Sequence, residues 1–245
     1  MNQNPQRVAI LTGGSGGIGR ASAVRLAADG TAVVVHYAGN RDLAEKTVHS
    51  ITIDGGLAIA AGGDIADESA MEVVFDAARK EFGGVDVLVH TAGIMPLAPV
   101  AEMDLETFDR IQRTNVRGTF VVNQLAARRV RSGGAIINFS TSVTRLQLPG
   151  YGAYAASKAA IEGMSLILAR ELRGKDITVN AIAPGPTATP LFFEGKSPET
   201  IKQISGLNPM ERLGTPQDIA ETVAFLAGPG RWVNGQVLHV NGGAA

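Results

Sequence analysis

The chain of 245 residues contains no cysteine. That excludes disulfides, thiolate nucleophiles and cysteine-ligated metals. Charge of one sign is also lacking: 22 Lys and Arg against 23 Asp and Glu leave a formal net charge of -1. Such a balance gives no footprint for nucleic acid or an acidic membrane surface. No apolar run approaches the ~20 residues of a membrane span. The N-terminal MNQNPQRVAI has no basic region followed by an apolar core, so no signal peptide is read and a cytoplasmic protein is expected. His36, His49, His90 and His239 show no ligand spacing with partner carboxylates, so no metal is expected. Aromatic residues make up 5%, and only three are tyrosines: Tyr37, Tyr151 and Tyr154.

What remains is 45% hydrophobic and 18% charged, ordinary for a soluble globular protein large enough to bury a substantial core. Short β-branched runs at 7–12, 31–37, 57–62, 85–91, 134–140, 177–183 and 236–242 read as strands. They are apolar nearly throughout, which predicts a parallel sheet covered on both faces. Helical patterns lie between them, such as 18–30 with a glycine C-cap and 67–84 with Asp67 as N-cap. The alternation predicts one α/β domain over 1–245, a doubly wound parallel sheet of about seven strands with helices on both faces. The stretch PGPTATPLFFEGKSPET (184–200), with four prolines, reads as irregular, and a functional loop or lid is expected there.

Two short stretches carry chemistry. TGGSGGIG (12–19) follows the first strand and opens the first helix. Glycines there let the backbone approach a pyrophosphate, and the helix N-terminus offers N–H groups and a positive dipole end. The second stretch is YGAYAASKAA (151–160). On a helix Tyr154 and Lys158 share a face, and Tyr151 roughly shares it too. Spacing alone does not choose between the two tyrosines.

The glycines read T-G-x-x-x-G-x-G (Thr12, Gly13, Gly17, Gly19) and resemble those of the short-chain dehydrogenase/reductase family. Further pieces follow in family order across essentially the whole chain: Asp64-Ile65, TAG (91–93), Asn115, YAASK (154–158), PGPTATP (184–190) and VNGQVLHVNGG (233–243). The ending is similar to that of bacterial 3-oxoacyl-carrier-protein reductases. The resemblance implies a Rossmann-type domain and a nicotinamide cofactor held by Gly13, Ser15, Gly16, Gly17, Ile18 and Gly19. It adds Asp64 at the adenine, Ile65, and Ala92 and Gly93 beside the cofactor. Pro184, Gly185, Thr187 and Thr189 would orient the nicotinamide, and a substrate lid would lie around 187–205. It also implies a homotetramer, paired through helices around 104–130 and 152–173 and through the C-terminal strand.

The end of the second strand decides between NAD and NADP in such folds. No acidic residue occurs in VVVHYAGNR (33–41), where His36, Tyr37, Asn40 and Arg41 stand at the ribose 2′-group. Arg41 suits a phosphate, so NADP(H) is expected. NADP-using relatives often carry Arg or Lys where this chain has Gly16. Thr91 stands in place of the commoner Asn and is expected to loosen local sheet hydrogen bonds.

The resemblance assigns Tyr154 as acid/base and Lys158 as its helper, with a further bond to the nicotinamide ribose. A phenol of pKa about 10 is poorly matched to proton transfer at neutral pH. A cation ~4 Å away contributes on the order of 4 kcal/mol at an effective dielectric of ~20, which is expected to lower the tyrosine pKa by up to about three. The family serine thirteen residues before the tyrosine falls on Thr141; Ser142 and Ser140 remain alternatives for the substrate-bonding hydroxyl. Asn115 resembles the asparagine that holds a water in a proton relay to Lys158. The expected function is NADPH-dependent reduction of a small-molecule carbonyl. One rival is a 3-oxoacyl-thioester reductase, for which Arg128, Arg129 and Arg131 would form a carrier-protein patch. Another is a non-catalytic NADP-binding sensor. LFFEG (191–195) suggests an apolar cover and hence a moderately hydrophobic substrate.

Overall fold

The computed structural model describes residues 7–245; the MNQNPQ portion of the N-terminal reading lies outside the described residues. Seven runs form strands β1 (Val8–Thr12), β2 (Ala32–Tyr37), β3 (Ala58–Gly62), β4 (Val85–His90), β5 (Val130–Phe139), β6 (Thr178–Pro184) and β7 (Val237–Val240). They pair in one parallel sheet of order β3-β2-β1-β4-β5-β6-β7. Helices α1 (Gly17–Ala28), α2 (Arg41–Ile53) and α10 (Pro216–Ala227) belong to one layer. The other layer holds α3 (Glu68–Phe82), α5 (Gly118–Arg129) and α7 (Gly152–Glu171). Helix α4 (Leu105–Ile111) runs into α5 through a π-helical turn, Gln112–Arg117.

The continuous apolar strands explain this layering. Along β1, Val8 and Ile10 join the core under α3 and α5, whereas Ala9 and Leu11 join the core under α1 and α10. Every residue of β1, β4 and β6 is buried, while the edge strands β3 and β7 are half-buried. Strand order reverses between β1 and β4, the switch point outside whose carboxyl ends ligands bind in such sheets. The glycine turn leaves β1 there, and Thr91-Ala92-Gly93 leaves β4 beside it.

Helix boundaries follow local chemistry. Asp67 caps α3 by accepting from Ala70 N, and Gly83 closes it in a left-handed conformation at φ 85. Past α1, Gly30 turns the chain at φ 82. The 184–200 stretch is more regular than expected. Pro190 and Pro198 open helices α8 (Pro190–Phe193) and α9 (Pro198–Ser205), with Thr189 and Ser197 as N-caps. A proline at the first helical position loses no hydrogen bond and has its φ already set. Between β5 and α7 lies the short helix α6 (Val143–Leu146). None of the described helices is long and apolar enough to cross a membrane.

Far from the switch point, Asp86 on β4 accepts from Val8 N at 2.7 Å and from Arg131 Nε at 2.8 Å. Its side chain is 12% exposed and that of Arg131 39%. Removing the arginine leaves a largely buried carboxylate underpaired, and the exposed guanidinium limits the cost. Arg131→Ala is expected to cost about 1–2 kcal/mol, a fall in Tm of a few degrees in thermal denaturation. An unchanged Tm would show that the pair contributes nothing.

Candidate active site

The glycine turn is tight because two backbones nearly touch. A Cβ on Gly19 would lie 2.2 Å from Gly13 O, and one on Gly13, itself at φ +67, would lie 2.9 Å from Thr91 Oγ1. Gly14 N donates to His36 O at 3.1 Å. Thr91 does not loosen the sheet: its hydroxyl donates to Thr12 O at 2.7 Å, beside the Thr91 N–H bond to the same oxygen at 3.2 Å. The shorter side chain reaches the neighbouring strand directly. Unlike α2 and α3, helix α1 has no side-chain cap, its N-cap being Gly16. Gly16 has open space around it, Ser15 is half-buried, and Ile18 packs on the core. An uncapped helix N-terminus behind side-chain-free backbone fits a pyrophosphate. Gly17, at φ +22, lies under Thr189: a Cβ there would meet Thr189 Cγ2 at 2.8 Å.

At the end of β2 the residues divide. The His36 side chain is not available to a ribose 2′-group. It is 1% exposed, its Nε2 donates to Gly63 O at 2.8 Å, and burial lowers its pKa. Strand alternation turns this side chain into the structure, so only its main chain serves the glycine turn. Tyr37 packs over Gly62. Asn40 caps α2, its Oδ1 accepting from Leu43 N at 3.0 Å. Arg41 is 73% exposed and, among the described residues, tied only to Glu45 at 3.4 Å, a surface pair weak enough to yield to a phosphate. Asp64 accepts from Ala66 N at 2.9 Å and pairs with Arg113 at 2.7 Å. The Arg113 bond holds its carboxyl below the usual range. Ile65 is 3% exposed and packs against Gly118.

The two arginines of the π-turn were not singled out from the sequence. Arg113 reaches Asp64, and Arg117 Nε donates to Ala66 O at 3.0 Å. No motif marks them; only their position on the helix facing the β3–α3 loop makes the clamp.

Tyr154, Lys158, Asn115 and Thr141 come together at the mouth of β4 and β5. Lys158 is buried, and its Nζ donates to Phe139 O at 2.9 Å. Asn115 is fully buried. Its side chain accepts from Ile94 N at 2.9 Å and donates to Ile94 O at 2.9 Å and Ser157 Oγ at 3.0 Å. A Cβ on Gly93 would stand 3.2 Å from Asn115 Oδ1 and 3.4 Å from Lys158 Nζ, so glycine keeps a narrow floor open between them. The ring of Tyr151 meets that of Tyr154 edge-on at 6.4 Å.

The three candidate hydroxyls separate clearly. Thr141 lies beside the Tyr154 phenol and favours its ionised form, while its Oγ1 accepts from Val143 N at 3.3 Å. Ser142 Oγ instead donates to Ala183 O at 3.1 Å and accepts from Asn241 Nδ2 at 3.2 Å. Ser140 Oγ donates to the Glu162 carboxylate, a partner the sequence reading did not consider. On the far wall, Pro184 ends β6 and its carbonyl accepts from Ser142 N at 2.8 Å. Gly185 leaves room for Asn241. Thr187 Oγ1 donates to Gly185 O at 2.9 Å.

The tyrosine pKa runs opposite to the expectation. Burial pushes the Tyr154 phenol up to about 12, against the lowering effect of neighbouring Thr141. Burial brings Lys158 down to about 8. The Lys158 ammonium is aimed at the Phe139 carbonyl and stands 5.8 Å from the Tyr154 ring centroid. At that placement desolvation outweighs charge attraction. Gly19→Ala forces the turn apart and is expected to weaken NADPH binding at least about tenfold, read by fluorescence titration; unchanged affinity would mean the turn does not contact the cofactor.

The family model described as enoyl-(acyl carrier protein) reductase matches residues 13–245. A short-chain type dehydrogenase/reductase of Picea abies is 45% identical over 97% of this chain and 92% of its own length. An NADPH-dependent aldehyde reductase-like protein, chloroplastic, of Arabidopsis thaliana is 44% identical over 97% and 93%. The crystal structure of a short-chain dehydrogenase from Burkholderia cenocepacia in complex with NADP superposes with a TM-score of 0.91 at 37% identity, covering 99% of both chains. A turn shaped for a pyrophosphate, a half-buried Tyr154 next to buried Lys158 beside it and these likenesses over nearly the full length have one meaning: the chain belongs to the short-chain dehydrogenase/reductase family.

Proposed function

We propose that this NADP(H)-dependent oxidoreductase acts as a carbonyl reductase, converting a moderately hydrophobic aldehyde or ketone to the alcohol, with Tyr154 as acid/base. The observation that carries the reading is Tyr154 beside buried Lys158, whose Nζ stands 5.8 Å from the Tyr154 ring centroid, with Asn115 across the Gly93 floor. The relatives named as NADPH-dependent aldehyde reductases support the direction and the cofactor. So does the lack of a carboxylate between Tyr37 and Arg41.

Bound NADPH supplies the hydride. Residues 1–245 serve as one cofactor-binding unit, with 187–205 as its lid. Gly13–Gly19 and the N-terminus of α1 would hold the pyrophosphate, Arg41 and Asn40 the 2′-phosphate, and Asp64 the adenine. Ala92 and Gly93 would stand beside the cofactor, and Pro184–Thr189 would hold the nicotinamide amide. Thr141 donates to the substrate oxygen, Tyr154 gives it the proton, and Lys158 holds the ribose and stabilises the phenolate. Asn115 keeps the relay to Lys158 in place. Leu191 and Phe193, 44% and 42% exposed, form an apolar cover over the substrate. Exposed Leu105, Phe120, Ile167 and Trp232 support a homotetramer.

Of the acyl-carrier alternative's patch, Arg131 is held by largely buried Asp86, whereas Arg128 and Arg129 make surface pairs, with Glu68 at 3.8 Å and Asp76 at 2.6 Å, that would yield to an acidic partner as the Arg41 pair would to a phosphate. A panel of carbonyls including an acetoacetyl thioester, assayed with NADPH and NADH, tests the reading. Tyr154→Phe should abolish turnover while binding NADPH. Thr141→Val should lower kcat by about 10²–10³, whereas Ser142→Ala should leave it close to wild type. A larger loss at Ser142 would move the substrate hydroxyl there.

The pH profile follows from the two shifts. Tyr154 stays protonated below about 12, and Lys158 loses its charge as pH rises through about 8. Reduction should therefore fall above about pH 8, approaching about tenfold per unit, and Lys158→Arg should remove that limb from whatever activity remains. A flat profile to pH 10 in the wild type would contradict the role of the lysine charge.

A further inference from the structure

A buried chain of hydrogen bonds joins the glycine turn to the π-turn, and His90 is its middle. Thr12, Thr119 and Asn115 are fully buried and His90 is 1% exposed. Thr119 Oγ1 lies 2.6 Å from Asn115 O. A carbonyl only accepts, so the hydroxyl hydrogen is committed to it. The 2.9 Å contact between His90 Nε2 and Thr119 Oγ1 must then be donated by the ring. A neutral imidazole protonated at Nε2 has a bare Nδ1, which accepts from Thr12 Oγ1 at 2.7 Å. Every group in the chain has a single role, and the tautomer follows from satisfying them all. Burial agrees, bringing the His90 pKa down to about 3.

The two ends matter. Thr12 opens the glycine turn, and its main-chain oxygen also anchors Thr91. At the other end Asn115 holds Ile94 on both polar atoms and reaches Ser157, whose hydroxyl donates to Tyr154 O at 2.7 Å. We infer that His90 is a positioning residue that fixes the cofactor turn and the Asn115-bearing π-turn relative to each other. The inference rests on reading these two segments as parts of one NADPH-dependent site. The chain ends on a carbonyl, so it transmits position and not protons.

The roles of the two ring nitrogens can be separated. Asn at position 90 offers an acceptor near Nδ1 but does not reach Thr119; Gln offers a donor near Nε2 but no acceptor for Thr12. His90→Asn should lower kcat about tenfold with a smaller change in NADPH Kd, and His90→Gln should raise the NADPH Kd about tenfold with a smaller change in kcat. Thr119→Val should resemble the asparagine variant, and Thr119→Ser should restore activity. In the wild-type protein, nitrogen-15 NMR at pH 7 should show His90 neutral and protonated at Nε2. Variants that lose Kd and kcat together in step with Tm, or an Nδ1-protonated ring, would overturn the inference. A wild-type protein that binds NADPH but turns over no carbonyl would refute the carbonyl-reductase reading, and the tautomer and the split in Kd would still decide the role of His90.

Discussion

The pairing of Thr12 with His90 across β1 and β4 is the constraint on which the site depends. It brings two carboxyl strand ends side by side at the point where strand order reverses. From one end leaves a turn in which Gly13 and Gly19 almost touch; from the other leaves the Gly93 floor. A slip of this register by one residue would put the Thr12 and His90 side chains on opposite faces of the sheet. Their 2.7 Å hydrogen bond and the two Thr91 bonds to Thr12 O oppose that slip.

Desolvation is the dominant electrostatic fact of the site. It favours the neutral form of Tyr154 and of Lys158 alike. Hydrogen bonds therefore do the ordering: Phe139 O fixes the lysine and Ile94 the asparagine. The hydroxyls of Ser140 and Ser142, equally near in sequence, are drawn off by Glu162 and Ala183 O. Local geometry at the end of β5, not residue type, separates the three.

Much of the fold was legible because burial on both faces leaves a plain apolar signature. Asp67 and the glycine turn were legible because each has one local job. The proline-rich 184–200 stretch was misread as irregular because a proline that starts a helix and one that breaks it look alike until the N-caps Thr189 and Ser197 are seen. His36 was misassigned because a strand's last residues alternate inward and outward, and the motif alone does not give the phase. Thr91, the Arg113 and Arg117 clamp and the upward direction of the tyrosine shift depend on contacts between residues distant in sequence. Their distances and desolvation exist only in the folded chain.

The π-turn Gln112–Arg117 gives one more consequence. It sets the angular phase of what precedes and follows it, with Arg113 and Arg117 directed to the β3–α3 loop and Asn115 to Ile94 and Ser157. Deleting a single residue here would let the turn close into ordinary α-helix and change the directions in which Asn115 and the two arginines point relative to each other. The arginine clamp on the β3–α3 loop and the asparagine could then no longer both be in place. Substitutions can be tolerated along this helix, but its length in residues cannot change, so residue count here is as much a part of the site as residue identity.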